Sequence, residues 1–371
     1  MKYLPPLLGA VFALSQAFAQ ESVSPTVQPR PESPGFKPTA TDEVFQLPPV
    51  PSDIVRLGER GGESVEVRHI AFAGNQAIAT ETLAAIARPY EGRRLNAGEI
   101  ETLRQALPRR YVDAGYINSG ATLGAKALVD GVLTFTIVEG RLSAMRLKGL
   151  GRLHEGYVVS RLVPDEEAAL NVDVLRERFQ LLLADPLFVR AQSRVIPDAV
   201  PGQAVLDVEF VRARPYQLTA FVSNARAASI GENALGLSGW VRNLTGWGDL
   251  LDATVQRDLE GKGGDRLGLG WRVPLGARGT EFSMQFDSGE SMVQEQPAAG
   301  LKIKSRLRST DFGLSQRLYD TLAQRFTVGV NHVRRTNRSY ILGLPFSFTP
   351  GEPDGVTRIE GWRFWQEYSH R

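Results

Sequence analysis

After Pro215 helical periodicity disappears, and apolar residues alternate with polar ones in one short segment after another. Leu267, Leu269, Trp271 and Val273 alternate with Gly268, Gly270 and Arg272, and Leu251, Ala253 and Val255 with Asp252, Thr254 and Gln256. Phe282, Met284 and Phe286 follow the same rule against Ser283, Gln285 and Asp287; Phe326, Val328 and Val330 follow it against Thr327, Gly329 and Asn331. Successive side chains of a strand point to opposite faces, so this pattern demands sheets with one apolar and one polar face.

Eight such segments fall near 216–223, 234–242, 249–257, 266–274, 281–288, 307–317, 324–333 and 358–368. A soluble sandwich alternates in the same way. The connections separate the two readings. Gaps after the even strands (243–248, 275–280, 318–323) are tight, whereas those after the odd strands (224–233, 258–265, 289–306, 334–357) are mostly long. Short turns at one end and long loops at the other are the pattern of an outer-membrane barrel, and the segments are long enough to cross the hydrocarbon layer at a tilt.

Export is legible at the other end of the chain. Met1-Lys2 supplies a short positive start, Leu4 to Phe18 is mostly apolar, and Ala17-Phe18-Ala19 has the small-residue form of a cleavage site. Residues 1–19 therefore read as a signal peptide cut between Ala19 and Gln20. No later run is apolar and long enough for a helical span. Cysteine is absent, which excludes disulfides, thiolate metal sites and cysteine catalysis. A net charge of +2 gives no global basic field for nucleic acid. Residues 20–64 read as a periplasmic linker, since eight prolines between Gln20 and Ser52 leave almost no apolar periodicity.

Between Val65 and Val211 one pattern occurs twice. The first copy opens on a strand, Val65 to Phe72, and turns at Gly74-Asn75. A short helix (Ala79 to Ala87) follows, then a second whose start, Asn96-Ala97-Gly98-Glu99, has capping-box form. Ile100, Leu103, Leu107 and Tyr111 fall at helical spacing, with Pro108 predicting a kink or early end and Gly115 a C-terminal cap. The alternating strand Leu133 to Ile137 closes the unit on a core face of Leu133, Phe135 and Ile137. The second copy repeats the order: strand Leu142 to Leu147, helix Glu155 to Leu162, a helix begun by Asn171 with Val174, Leu175, Phe179, Leu182 and Leu183, then strands Val189 to Val195 and Ala204 to Val211. Each β-α-α-β-β unit predicts a three-stranded sheet under two helices.

These residues together resemble the outer-membrane transporters of two-partner secretion, the hemolysin activator and filamentous hemagglutinin transporter family. The resemblance rests on Gly74-Asn75-Gln76-Ala77-Ile78, Tyr111-Val112-Asp113-Ala114-Gly115-Tyr116-Ile117, Asp130 to Leu133 and Val138-Glu139-Gly140-Arg141 in the first unit. In the strand region it rests on Asn243-Leu244-Thr245-Gly246-Trp247-Gly248-Asp249 and Gly343-Leu344-Pro345-Phe346. It implies an α+β tandem of POTRA domains (65–141 and 142–212) followed from residue 213 to 371 by the N-terminal half of an antiparallel transmembrane β-barrel, about eight strands of some sixteen. A C-terminally truncated form is the corresponding expectation. The implied role is translocation of a large exoprotein of hemolysin or adhesin type, whose N-terminal secretion domain docks in the periplasm on the POTRA units. Assembly of other outer-membrane proteins, or a truncated fragment that does not conduct, is the alternative. No catalytic constellation, cofactor motif or metal-ligand spacing occurs in the sequence, so no enzyme, cofactor or metal is expected. The expected partners besides the exoprotein are outer-membrane lipid and lipopolysaccharide, with no nucleic acid, and the chain is expected to be a monomer.

Within the predicted barrel, Asn243, Gly246, Gly248 and Asp249 make a periplasmic turn: the glycines admit positive φ and the polar side chains can bond the turn backbone. Arg242, Arg272 and Arg317 stand opposite the apolar faces and are the candidates to line a lumen. The basic run Arg334-Arg335-Thr336-Asn337-Arg338 falls in a predicted extracellular loop, as a solvated segment or a lipopolysaccharide contact. His69, His154, His332 and His370 are scattered without metal-ligand spacing.

Overall fold

The computed structural model describes residues 45–46, 64–124, 126–163, 165, 167–224, 233–259 and 264–370. The predicted signal peptide and its Ala19–Gln20 cleavage site lie outside the described residues. The chain divides into two compact units, residues 37–150 with 158–212, and residues 151–157 with 213–371.

In the first of these, the opening repeat contains β2 (Val65–Val67), β3 (His69–Ala73), α1 (Thr80–Ala87), β4 (Arg93–Leu95), α2 (Ala97–Asp113), β5 (Gly120–Thr122), β6 (Leu128–Val129) and β7 (Val132–Val138). The sheet is ordered β3-β7-β5, with β6 also on β7. The expected single strand from Val65 to Phe72 is two strands. The Arg68 amide bonds Gly131 O at 2.7 Å, and β2 turns away to pair with β4. With β6 on β7, the main sheet has four strands rather than the three expected, and β2 with β4 forms a separate pair.

The capping box forms as read: the Glu99 amide donates to Asn96 Oδ1 at 2.9 Å, and the Asn96 amide to Glu99 Oε2 at 2.9 Å. Helix α2 does not end at Pro108 but continues to Asp113. An interior proline costs about 3 kcal/mol. Leu103, Leu107 and Tyr111 are almost fully buried on both sides of it, and burial of such side chains returns roughly 1.5–3 kcal/mol each. Packing therefore wins. Leu133, Phe135 and Ile137 face the same core, as their alternation predicts.

The second repeat contains β8 (Arg141–Lys148), α3 (Glu155–Leu162), α4 (Val172–Leu183), β9 (Phe188–Pro197) and β10 (Gln203–Arg212). Its sheet places β10 between β8, to which it is parallel, and the antiparallel β9. Asn171 caps α4 through the amides of Asp173 and Val174. The buried face of α4 is Val172, Leu175, Phe179 and Leu182, whereas Val174 is exposed, one position off the expected stripe. A fourth strand comes from the predicted tether: β1 (Phe45–Gln46) runs parallel to β9 opposite Ser193 and Arg194.

The other unit is one antiparallel sheet of nine strands that is not closed. It consists of β11 (Tyr216–Ser223), β12 (Ala234–Arg242), β13 (Leu250–Asp258), β14 (Arg266–Pro274), β15 (Thr280–Met292), β16 (Lys304–Asp320), β17 (Gln324–Ile341), the two-residue β18 (Leu344–Pro345) and β19 (Val356–His370). Each strand pairs with its sequence neighbour except β19, which returns to β17 beyond β18. The expected loops 289–306 and 334–357 are strand at both ends, because β15, β16, β17 and β19 run on past the alternating region. The basic run 334–338 lies within β17, not in a loop.

Candidate functional surfaces

The register assigns every strand residue to a face. Tyr216 sits opposite Val241, Val241 opposite Leu251, Leu251 opposite Trp271, Trp271 opposite Met284, and Met284 opposite Phe312. Phe312 then lies opposite His332 and His332 opposite Trp362. This face is an apolar band left open: Leu218 is 74% exposed and Phe364 83%. A water-soluble sheet would cover such a surface, and only lipid or another apolar phase satisfies it.

The opposite face carries polar side chains. Asp252 accepts from Arg272 at 3.3 Å, Asp311 from Asn331 at 2.6 Å, and Asn331 Oδ1 from the Trp365 indole at 2.8 Å. The three arginines singled out in the sequence fall here. Arg242 stacks on Trp240, with its guanidinium carbon 3.9 Å from the ring centre, and Arg317 pairs with Asp320 at 3.4 Å. They are spread over β12, β14 and β16 and form no single cluster.

The turn from Asn243 to Asp249 is closed from inside. Asp249 is fully buried and accepts from the Thr245 amide (2.9 Å), the Thr245 hydroxyl (2.7 Å) and the Trp271 indole (3.3 Å). Burial pushes its carboxyl up, and these donors outweigh burial to hold it below the ordinary carboxylate value. Asn243 Oδ1 accepts from the Gly248 amide, while Gly246 and Gly248 take φ of +97° and +79°. Residues 151–157 belong to the same unit and lie on this turn: the His154 amide donates to Gly246 O, and its ring lies tilted against Trp247 with centroids 4.4 Å apart. His154 was not legible as a partner because nearly ninety residues separate it from the turn. The four predicted turn residues are therefore brought together as structure.

In the other unit, the residues that carry the family resemblance also converge. Glu139 accepts from the amides of Gln76 and Ala77, both at 2.7 Å, and from the Tyr111 hydroxyl at 3.0 Å. Burial and that carboxylate push the Tyr111 hydroxyl well above its usual range. Gly115, at φ +87°, leaves room for Asn171, whose Nδ2 donates to Ala114 O while the Val172 amide donates to Gly115 O. A Cβ on Gly115 would stand 2.8 Å from Asn171 Oδ1. The motif residues thus lock the first repeat onto the second.

A family model for the POTRA domain of ShlB type matches residues 65–140, and one for the haemolysin secretion/activation protein ShlB/FhaC/HecB matches residues 202–347. Over these residues the chain is similar to this family. The heme/hemopexin transporter protein HuxB of Haemophilus influenzae (strain 86-028NP) is 26% identical over 181 residues, 48% of this chain and 32% of the relative. The outer membrane transporter CdiB of Dickeya dadantii (strain 3937) is 24% identical over 188 residues, 51% of this chain and 33% of that one. These matches span about a third of the curated relatives' length. The fold is shared with CdiB from Escherichia coli, at a TM-score of 0.59 and 17% identity, over 100% of this chain and 66% of that one. CdiB from Acinetobacter baumannii gives 0.52 and 12% over 98% and 66%. Family members are transporters. These matches are to outer-membrane transporters with periplasmic POTRA domains, which places the strands in the outer membrane and the POTRA units in the periplasm.

Proposed function

We propose that the protein exports a large exoprotein of hemolysin or adhesin type across the outer membrane by two-partner secretion. The observation that carries this reading is a pair of locked POTRA units continuous in the chain with a sheet that is apolar on one face and polar on the other. In the proposed sequence of events, the signal peptide is removed after Ala19 and the strands enter the outer membrane. The POTRA domains at 65–141 and 142–212 then capture the unfolded secretion domain of the exoprotein. Sheet edges suit such capture, because an extended chain can add to them by main-chain hydrogen bonds. Arg242, Arg272 and Arg317 stand on the polar face, where charge is tolerated beside a passing polypeptide. The role involves no catalytic step, and the transporter works as a monomer.

The test is secretion of a co-expressed partner exoprotein by the full gene and by the same gene lacking residues 65–141. Loss of exoprotein from the medium, with the shortened protein still in the outer membrane, is the expected result. Undiminished secretion would overturn capture by the POTRA pair.

A further inference from the structure

Beyond the apolar band, the outer face of the sheet changes character. Thr336 on β17 lies opposite Arg308 of β16 on one side and Arg358 of β19 on the other. Arg334 and Arg338 precede and follow it by two residues, so they share its face. All four arginines are exposed. Neighbouring strands are about 4.8 Å apart and alternate residues about 6.6 Å along a strand, so four guanidinium groups ring one threonine within roughly 10 by 13 Å.

Nothing acidic on that face answers this charge. Glu290 pairs with Lys304 and with Arg306 at 2.6 Å, and Glu360, although in register with Arg334, pairs with His332 at 3.1 Å. Among the described residues, Arg308, Arg334, Arg338 and Arg358 have no carboxylate within ion-pair distance. Arg306 also stands directly opposite Arg338. Like charges facing across a sheet destabilise it, so the arrangement is costly unless an anion occupies the face. Guanidinium groups match phosphate oxygens in bidentate geometry.

The height of the ring identifies the anion. Arg334 lies two residues past His332 and Arg308 four past Phe312, about 7 and about 13 Å beyond the row Phe312–His332–Trp362 that ends the apolar band. At the edge of the band, level with Phe312 and His332, stands Trp362, 66% exposed and with its ring tilted against His332 at 4.8 Å, the kind of aromatic that marks a membrane interface. The tight turns 275–279 and 321–323 lie at the opposite end of the strands, which is the periplasmic end in outer-membrane barrels. The ring therefore lies at head-group height in the outer leaflet.

We propose that Arg308, Arg334, Arg338 and Arg358 around Thr336 form a binding site for the phosphates of a phosphorylated glycolipid, the lipid A and inner-core region of lipopolysaccharide. The site rests on the membrane placement of the sheet and is independent of what the protein exports. Occupation would neutralise the facing arginines and fix the extended ends of β16, β17 and β19.

The full-length protein in detergent micelles is titrated with bisphosphorylated lipid A, with fully dephosphorylated lipid A and with inorganic pyrophosphate. The quadruple variant Arg308→Gln, Arg334→Gln, Arg338→Gln, Arg358→Gln is compared with a control of equal charge change in the POTRA units: Arg109→Gln, Arg110→Gln, Arg146→Gln, Arg190→Gln. The expected result is at least tenfold weaker binding of bisphosphorylated lipid A by the quadruple variant alone, with little binding of the dephosphorylated lipid. Equal affinity of wild type and quadruple variant overturns the site. Pyrophosphate binding as tightly as lipid A overturns the lipid assignment in favour of a free anion. Quenching of tryptophan fluorescence by brominated acyl chains is scored separately in liposomes. Quenching without arginine-dependent binding removes only the site, whereas no quenching removes the membrane placement as well.

Discussion

The POTRA pair and the strand sheet use the same apolar residue types in opposite directions. In the first repeat, Leu103, Leu107 and Phe135 have no exposure, and the polar residues face water. In the sheet, Leu218, Val222 and Phe364 are at least 70% exposed, while on the other face Asp252 pairs with Arg272 and Asn331 bonds both Asp311 and Trp365. The first region carries its own apolar phase. The second borrows one from the bilayer, so its strands need closure or pairing rather than a core.

The widest separation between the regions should come from charge placed on each apolar face. Phe135→Asp buries an unpaired carboxylate among Ile70, Leu103 and Leu133 and should cost more than about 4 kcal/mol. Denaturant unfolding of the POTRA pair, followed by circular dichroism, is the measurement; an unchanged midpoint would remove the core assignment. Leu269→Arg, on the lipid face, should cost roughly 2–4 kcal/mol of membrane stability. It should leave the melting of the POTRA pair untouched, which heat-modifiable gel migration and calorimetry together resolve.

Asp249 tests whether the turn is held from inside. Asp249→Asn should cost about 1–3 kcal/mol by weakening acceptance from Thr245 and Trp271. Its carboxyl is depressed in the folded state. The stabilisation is therefore complete above the unfolded value of about 3.9 and is lost as pH falls below it toward the folded value. Melting temperatures in detergent between pH 7 and pH 3 should fall more steeply for wild type than for the asparagine variant. The smallest effect is expected from Asn96→Ala, about 1 kcal/mol from loss of the α2 cap. It should appear only in the POTRA pair, and an equal loss in the sheet would blur the division between the regions.

Much of this was legible in the residues because local chemistry fixed it. The capping box at Asn96, the cap at Asn171, the buried alternation of Leu133, Phe135 and Ile137, and the turn chemistry of Asn243 to Asp249 each depend on neighbours within a few positions. The starts of β11, β12, β14 and β17 were readable for the same reason. Strand ends were not. Beyond Asp287 and Val333 both faces become polar, the alternation vanishes, and only main-chain pairing across strands extends β15 and β17 to Met292 and Ile341. Pro108 misled in the same way, since the burial that overrides it comes from other elements.

By itself, then, the sequence determined which face of each helix and strand is apolar, where turns fall, and that a repeated α+β unit precedes a two-faced sheet. Periodicity and turn chemistry are short-range properties, and a chain displays them unfolded. Tertiary structure alone decided which distant residues meet. It joined Glu139 to Tyr111 and Gln76, Asn171 to Gly115, and Phe45–Gln46 to the edge of β9. It also brought Arg308, Arg334, Arg338 and Arg358 around Thr336. Register sets those encounters, and register is a property of pairs of strands, which no single segment contains.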